Sequence, residues 1–201
     1  KRRVDYSMTT QELIRMIRRA GIDFAALDPE PMDDPLPAYS GAGVIFGVTG
    51  GVTEAVLRYL GADLRNAAQS GTRGLEGIKE FDLPYQGKTL KIAVVSGLKN
   101  AETIIERIQS GSHYDLVEVM ACPGGCINGG GQPIVSAYKR MDVDPRTARA
   151  AGLYAEDESK TIRKSHENPD IQKLYAEFLG EPNGHLAHKL LHTEYIDRSD
   201  D

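Results

Sequence analysis

Residues 116–133 read LVEVMACPGGCINGGGQP and hold both cysteines of the chain, Cys122 and Cys126. An apolar run with strand character leads into the cysteines, and five glycines and two prolines surround them. Glycines at this density let a backbone approach a bulky object closely and supply positive φ angles where side chains would clash. Two thiolates beside such a loop favour a metal cluster over a single ion. We call residues 121–133 the cysteine loop.

The clearest supersecondary pattern in the chain gives this loop its place in the fold. Residues 90–95 and 116–120 have strand character, and Asn100 is placed to cap a helix between them. A strand, a helix and a strand over about 30 residues predict a right-handed parallel βαβ crossover. Open α/β sheets bind their ligands beyond the carboxyl ends of parallel strands, which is where Cys122 falls.

A second glycine-rich stretch, residues 40–52, reads SGAGVIFGVTGGV. We call it the glycine segment. It resembles a phosphate-binding loop, but the match to G-x-G-x-x-G fails at the third glycine and no P-loop lysine follows. Three interpretations stay open at this point: nucleotide binding, close packing of backbone, and a wall against a buried cofactor.

Helix-capping signals elsewhere in the chain predict where helices begin. Thr9 and Glu12 have the spacing of a capping box, and Asp144-Pro145 and Asn168-Pro169 each place an N-cap before a proline. The predicted helices cover about residues 10–20, 52–60 and 100–111, two more that begin at 145 and 169, and 186–195. Residues 73–80 are interpreted as a linking segment. We predict an α/β fold in which a parallel-sheet lobe with flanking helices covers residues 1–140 and a helical tail covers 141–201.

Composition limits the class of partner. A net charge of −5 argues against a nucleic-acid partner, because it implies no basic surface. No stretch approaches the roughly 20 apolar residues of a membrane span, so no span is expected. Two cysteines are fewer than a secreted disulfide scaffold would carry. A reducing or anaerobic compartment is therefore favoured. We expect the protein to be cytoplasmic, with a periplasmic location as the alternative.

Four kinds of chemistry are open to the two cysteines. A disulfide would close a small loop and stabilise little, and a zinc site would need two further soft ligands. A reactive thiol would need a base or a helix N-terminus nearby. An iron-sulfur cluster takes about four thiolates, so the rest of its cage would have to come from another polypeptide or from upstream sequence.

A family resemblance narrows these alternatives. Residues 117–126, VEVMACPGGC, followed by NGGGQP at 128–133, resemble the third signature motif of the iron-only (FeFe) hydrogenases. Further stretches resemble the same family in the same order: residues 9–13, 40–52, 165–169 and 187–192. The resemblance covers nearly the whole chain and implies the C-terminal part of the active-site domain. The cofactor of that domain is an H-cluster, a 4Fe-4S cubane joined to a two-iron subcluster that carries carbon monoxide, cyanide and a dithiolate bridge.

The resemblance also implies roles for individual residues. Cys122 would be a ligand of the cubane, and Cys126 would be the thiolate that bridges the cubane to the two-iron subcluster. Met120 would lie beside that subcluster and, with Cys126, belong to the catalytic centre. Four residues of the glycine segment would contact the cofactor: Phe46, Gly47, Thr49 and Val52.

The implied reaction is the reversible oxidation of dihydrogen to protons and electrons, with the electrons leaving through further iron-sulfur domains or subunits. Two earlier motifs of the family are absent from these 201 residues. We therefore expect the missing half of the catalytic domain, or a separate chain that carries it, to supply the other cluster ligands. Alone, the chain should not assemble a competent H-cluster. Two alternatives are an iron-sulfur assembly or sensory protein without turnover, and a nucleotide-binding module with structural cysteines.

Overall fold

The structure, a computed structural model, describes residues 4–31, 33, 36–61 and 71–192. Within them, three strands form one sheet in the spatial order β1, β2, β3. The strands are β1 (Ile78–Tyr85), β2 (Lys88–Ser96) and β3 (Leu116–Met120). β2 and β3 run parallel, with Val95 opposite Val119. The predicted parallel strand pair is therefore confirmed.

β1 corrects the interpretation of residues 73–80 as a linking segment, because the strand begins at Ile78. It pairs antiparallel with β2 through a turn at Gln86 and Gly87, whose φ angles are +48° and +77°. Two consecutive positive φ angles are typical of the type I′ turns that join the strands of a hairpin. The α/β class is confirmed, but the sheet is mixed and not purely parallel.

Eight α-helices lie in the described part of the chain. They are α1 (Thr10–Arg19), α2 (Gly41–Val44), α3 (Gly51–Tyr59), α4 (Leu98–Gln109), α5 (Ala137–Asp142), α6 (Pro145–Ser159), α7 (Pro169–Leu174) and α8 (His185–Leu191). A π-helical turn, Tyr175–Leu179, continues α7 as far as Gly180. No helix in the described ranges has the length and apolar character needed to cross a bilayer.

Local capping explains where several helices begin. The Thr9 hydroxyl accepts from the Glu12 amide at 3.3 Å, and the Glu12 carboxylate accepts from the Thr9 amide at 2.8 Å, as the capping box predicts. Asp144 and Asn168 cap α6 and α7 with proline in the first turn. These three cap predictions are confirmed. They could be made from sequence because a cap involves residues no more than four positions apart.

Two helix predictions need correction or restriction. Asn100 does not cap α4, which begins at Leu98 after Gly97 with a φ of +90°. The Asn100 side-chain amide instead donates to the Ser96 carbonyl at 2.7 Å and ties the helix to the end of β2. α8 ends at Leu191, and the last residues of the predicted helix, 193–195, lie outside the described residues.

The hydrophobic core lies on both faces of the sheet. On one face Leu57 of α3 packs with Leu83 and Ile92, and on the other Ile104 of α4 packs with Ala93 and Val95. Burial of apolar surface of this kind is the main stabilising contribution to such a fold. Alternate residues of β2 therefore serve opposite cores, which is why its run from Ile92 to Val95 is apolar throughout.

A third core cluster joins three parts of the chain. Val48 of the glycine segment, Ile127 of the cysteine loop and Ala150 of α6 are buried together. α6 thus shares a core cluster with the glycine segment and the cysteine loop. The proposed division at residue 140 stays a prediction.

Candidate functional site

The two cysteines follow β3 at its carboxyl end. The Gly97 amide donates to the Met120 carbonyl at 2.7 Å, which extends the β2–β3 pairing by one step beyond the last paired residues. The Gly125 amide then donates to the Cys122 carbonyl at 2.9 Å and closes a tight turn between the cysteines. Both thiols are free, with Cys122 half-buried and Cys126 exposed.

The cysteine loop lies directly against the glycine segment. The Thr49 amide donates to the Gly124 carbonyl at 3.1 Å. At Gly125, where φ is +93°, an added Cβ would lie 2.8 Å from both the Gly47 carbonyl oxygen and the Thr49 nitrogen. Only glycine combines that backbone angle with so close an approach. We call this contact between the glycine segment and the cysteine loop the seam.

The structure brings some of the predicted site residues together. Gly47 and Thr49 lie at the seam, and Thr49 is fully buried. Met120 immediately precedes the cysteine loop and is half-buried. Phe46, 44% exposed, and Val52, half-buried, lie on the same glycine segment. Their contact with a cofactor stays a prediction.

Most glycines of the glycine segment are needed for packing against the protein. An added Cβ at Gly41 would lie 2.0 Å from an Asp157 carboxylate oxygen. At Gly50 and Gly51 it would lie 1.8 Å from the carbonyl oxygens of Thr72 and Ile45. These backbones already touch other parts of the chain, which favours close packing over a phosphate-binding loop.

Glu118 is a residue of this site that the sequence analysis missed. It lies in β3 with 8% of its surface exposed, and its carboxylate accepts hydrogen bonds from the amides of Gly50 and Thr53. A glutamate at the centre of an otherwise apolar strand was the available signal. The strand pattern alone does not reveal that its neighbours on the buried side are hydrogen-bond donors.

Hydrogen bonds from inside and outside the cysteine loop hold its second half. Arg149 of α6 donates to the carbonyls of Ile127 and Pro133, both at 2.8 Å. Within the loop, the Gln132 side-chain amide donates to the Cys126 carbonyl at 3.1 Å. The backbone amide of Gln11, in α1, donates to the Gly131 carbonyl at 3.0 Å. The second half of the loop is therefore held by contacts with α6 and α1.

The donor atoms fit part of an iron-sulfur cage. Thiolates are the usual ligands of iron-sulfur clusters, and the loop supplies two of them. The Thr49 and Ser96 hydroxyls are buried without a hydrogen-bond partner among the described residues. Both lie close to the cysteines along the backbone, because the Thr49 amide bonds to the Gly124 carbonyl and Ser96 stands opposite Met120 in the sheet. Nowhere in the described ranges do three or more His, Cys, Asp or Glu side chains come together as a metal site. The described chain thus fits half of a cluster cage.

The two cysteines lie just beyond the carboxyl end of a parallel strand in a mixed α/β lobe, the position where open α/β sheets bind their ligands. Residues 1–130 match the family model described as the C-terminal domain of the iron-only hydrogenase large subunit, and residues 142–198 match the iron hydrogenase small subunit. The chain belongs to the iron-only hydrogenase family. The resemblance noted from the sequence is confirmed.

Individual relatives agree with this assignment. The chain is 46% identical to the NADP-reducing hydrogenase subunit HndD of Solidesulfovibrio fructosivorans, over 97% of this chain and 34% of that protein. It is 31% identical to Protein NAR1 of Arabidopsis thaliana, over 96% of this chain and 42% of that protein. A solved variant of the FeFe hydrogenase HydA1 from Chlamydomonas reinhardtii superposes with a TM-score of 0.73 at 41% identity, covering 96% of this chain and 56% of that chain. The chain therefore spans less than half of the length of HndD and of Protein NAR1.

Proposed function

We propose that this chain is the C-terminal part of an FeFe hydrogenase catalytic domain and takes part in the reversible oxidation of dihydrogen to protons and electrons. The observation that carries the proposal is the seam, where the cysteine loop and the glycine segment meet backbone to backbone. At the seam, the loop that carries both cysteines packs against the buried backbone of the glycine segment, in a chain of the iron-only hydrogenase family.

In this proposal Cys122 and Cys126 would hold one side of an H-cluster, Cys122 as a cubane ligand and Cys126 as the second thiolate, next to the two-iron subcluster. When bound, that subcluster supplies the heterolytic cleavage of dihydrogen. The chain's own part is to hold, orient and shield. The Thr49 hydroxyl, which has no hydrogen-bond partner in the described part of the chain, would donate to a cofactor sulfur or cyanide, and Met120, Phe46, Gly47 and Val52 would line the rest of the cofactor pocket.

The remaining ligands would come from the missing half of the catalytic domain or from a separate chain that carries it. Electrons would pass through further iron-sulfur domains or subunits. Because the chain contributes only two thiolates, purified alone it should produce no hydrogen. Turnover by the isolated chain would contradict this division of the cluster ligands.

A second candidate function is iron-sulfur assembly without hydrogen chemistry, because the chain is also 29% identical to the cytosolic iron-sulfur assembly component 3 of Pongo abelii, over 96% of this chain, and matches Protein NAR1. The higher identity to a hydrogenase subunit, 46% against 31%, favours the enzyme. A sensory relative with little turnover would keep the cofactor and lose most of the activity.

The deciding experiment uses the complete protein, matured with its cofactor. We expect infrared bands from iron-bound carbon monoxide and cyanide together with hydrogen evolution from a reduced viologen dye. Cys126→Ala should remove the bands. An iron-containing protein with neither bands nor turnover would support the assembly function, and bands with very slow turnover would support a sensor. Absence of iron in the matured protein would favour the nucleotide-binding alternative.

A further inference from the structure

Glu118 is a buried carboxylate, and its hydrogen-bond donors among the described residues belong to Gly50 and Thr53, at the start of α3. One carboxylate oxygen accepts from the Gly50 amide at 2.6 Å, and the other accepts from the Thr53 amide at 2.7 Å and the Thr53 hydroxyl at 2.8 Å. Burial of a charge is costly unless hydrogen-bond donors surround it. Three donors from one helix turn meet that requirement for Glu118.

These bonds replace a cap that α3 lacks. Its N-cap residue is Gly50, with a φ of +89°, and no local side chain caps the first turn. The first amides of a helix have no partner within the helix and carry partial positive charge. Glu118 supplies the acceptor and the negative charge from β3, so the start of α3 is fixed to the strand that leads into the cysteine loop.

The same short stretch of chain therefore holds the glycine segment at two points. Glu118 binds Gly50, and the neighbouring Thr49 bonds to the Gly124 carbonyl. Between these two points the backbone has little freedom, because Gly125 packs against Gly47 and Thr49 without an intervening side chain. Displacement of Gly50 would be passed to Thr49 and hence to the seam.

We propose that Glu118 is a positioning residue, which sets the place of Gly47 and Thr49 relative to the two cysteines by capping α3 from β3. That the glycine segment contacts a cofactor rests on the proposed function. That Glu118 caps α3 and thereby positions the seam does not. Glu118 acts through the glycine segment and needs no contact with the cofactor.

The test compares Glu118→Gln with Asp115→Asn in the complete protein. Glutamine keeps the shape of Glu118 but removes the charge and turns an amide group toward amide donors. Asp115 is a matched control because its carboxylate also accepts a backbone amide, that of Lys91 at 2.7 Å, and because it lies just before β3, at the opposite end of that strand from the cysteine loop. Hydrogen exchange is measured on the cofactor-free form, and infrared spectra on the matured form.

In the cofactor-free form, Glu118→Gln should speed exchange at Thr49, Gly50 and Thr53 by about tenfold or more, the range expected for losing a hydrogen bond to a charged group. Amides of Ile92 to Val95 in β2 should keep their rates. In the matured form the carbon monoxide and cyanide bands should shift in Glu118→Gln and stay in place in Asp115→Asn.

Equal acceleration of all core amides would reduce Glu118 to a general stabilising residue and overturn the proposal, as would an unchanged rate at Thr49. If Glu118→Gln does not fold, Thr53→Val removes one of the three donors with little change of shape, and it should speed the same three amides by a smaller factor. Absence of the bands from the unmutated protein, with the exchange result as expected, would overturn the proposed function and leave the positioning role intact.

Discussion

The backbone amide of Thr49 donates a 3.1 Å hydrogen bond to the carbonyl of Gly124. This bond joins the glycine segment to the cysteine loop, and no side chain lies between the two backbones where Gly125 packs against Thr49. The position of the cysteines is therefore determined by backbone contacts that only particular residues allow.

Gly125→Ala should open the seam. The added methyl group would lie 2.8 Å from Gly47 and Thr49 backbone atoms, at a φ of +93° that alanine rarely adopts. We expect a loss of stability of about 1–3 kcal/mol and a loss of most bound iron in the complete protein. Gly130→Ala is the control, because its Cβ would meet nothing within 4 Å. Iron content and thermal midpoint measure both, and similar behaviour of the two variants would refute the role of the close approach.

Arg149→Ala should loosen the second half of the cysteine loop. It removes the two 2.8 Å bonds to the Ile127 and Pro133 carbonyls, and hydrogen bonds to a charged donor are each worth about 1.5–3 kcal/mol. Arg146→Ala is the control, since Arg146 pairs with nearby Asp144 at the protein surface and such pairs contribute about 0–1 kcal/mol. Urea unfolding of both variants gives the comparison. An equal loss of stability would show that the Arg149 bonds do not support the loop.

Asp157→Ala should destabilise the fold strongly. Asp157 is fully buried and bonds to Arg58 and Arg163, so its removal leaves the buried Arg58 guanidinium with one of its two carboxylate partners, Glu54. Breaking a buried pair in this way costs about 3–5 kcal/mol. Glu158→Ala, at the next position, should change stability little, because that side chain is 67% exposed. The denaturant midpoints of the two variants are compared. A small effect of Asp157→Ala would contradict the claim that the bonds of Asp157 to Arg58 and Arg163 stabilise the fold.

The stability of the chain should fall in acid partly through Asp144. Hydrogen bonds from the Arg146 side chain and backbone lower the pKa of Asp144 from 3.8 to about 2. A carboxylate whose pKa is lower in the folded state stabilises that state fully above the unfolded pKa, and this contribution disappears as the pH falls through the folded pKa.

Asp144→Asn keeps an N-cap but lacks the charge. The stability difference between the unmutated chain and Asp144→Asn should therefore be constant above about pH 4 and shrink toward pH 2. Denaturant titrations at several pH values measure it. A difference that does not depend on pH would show that the charge of Asp144 has no stabilising role.

Much of the fold follows from short-range sequence signals. The capping box at Thr9, the Asp144-Pro145 and Asn168-Pro169 caps and the β2–α4–β3 unit were predictable, because each depends on residues close together in the chain. Asn100 was misassigned for a related reason: several residues near Gly97 could begin the helix, and the choice depends on a φ of +90° that only the folded backbone reveals. β1 was missed because its polar residues weaken the strand pattern and its pairing partner lies across a turn.

The sequence by itself determined that this chain carries a cysteine motif after a buried strand and belongs with the iron-only hydrogenases, since motif spacing and local periodicity are properties of the linear chain. Tertiary structure alone decided that Gly125 packs on Gly47 and Thr49, that Glu118 caps α3, and that Arg149 holds the loop. These contacts join segments far apart in the chain. They depend on how separate elements pack in three dimensions, and no local preference of either segment encodes them.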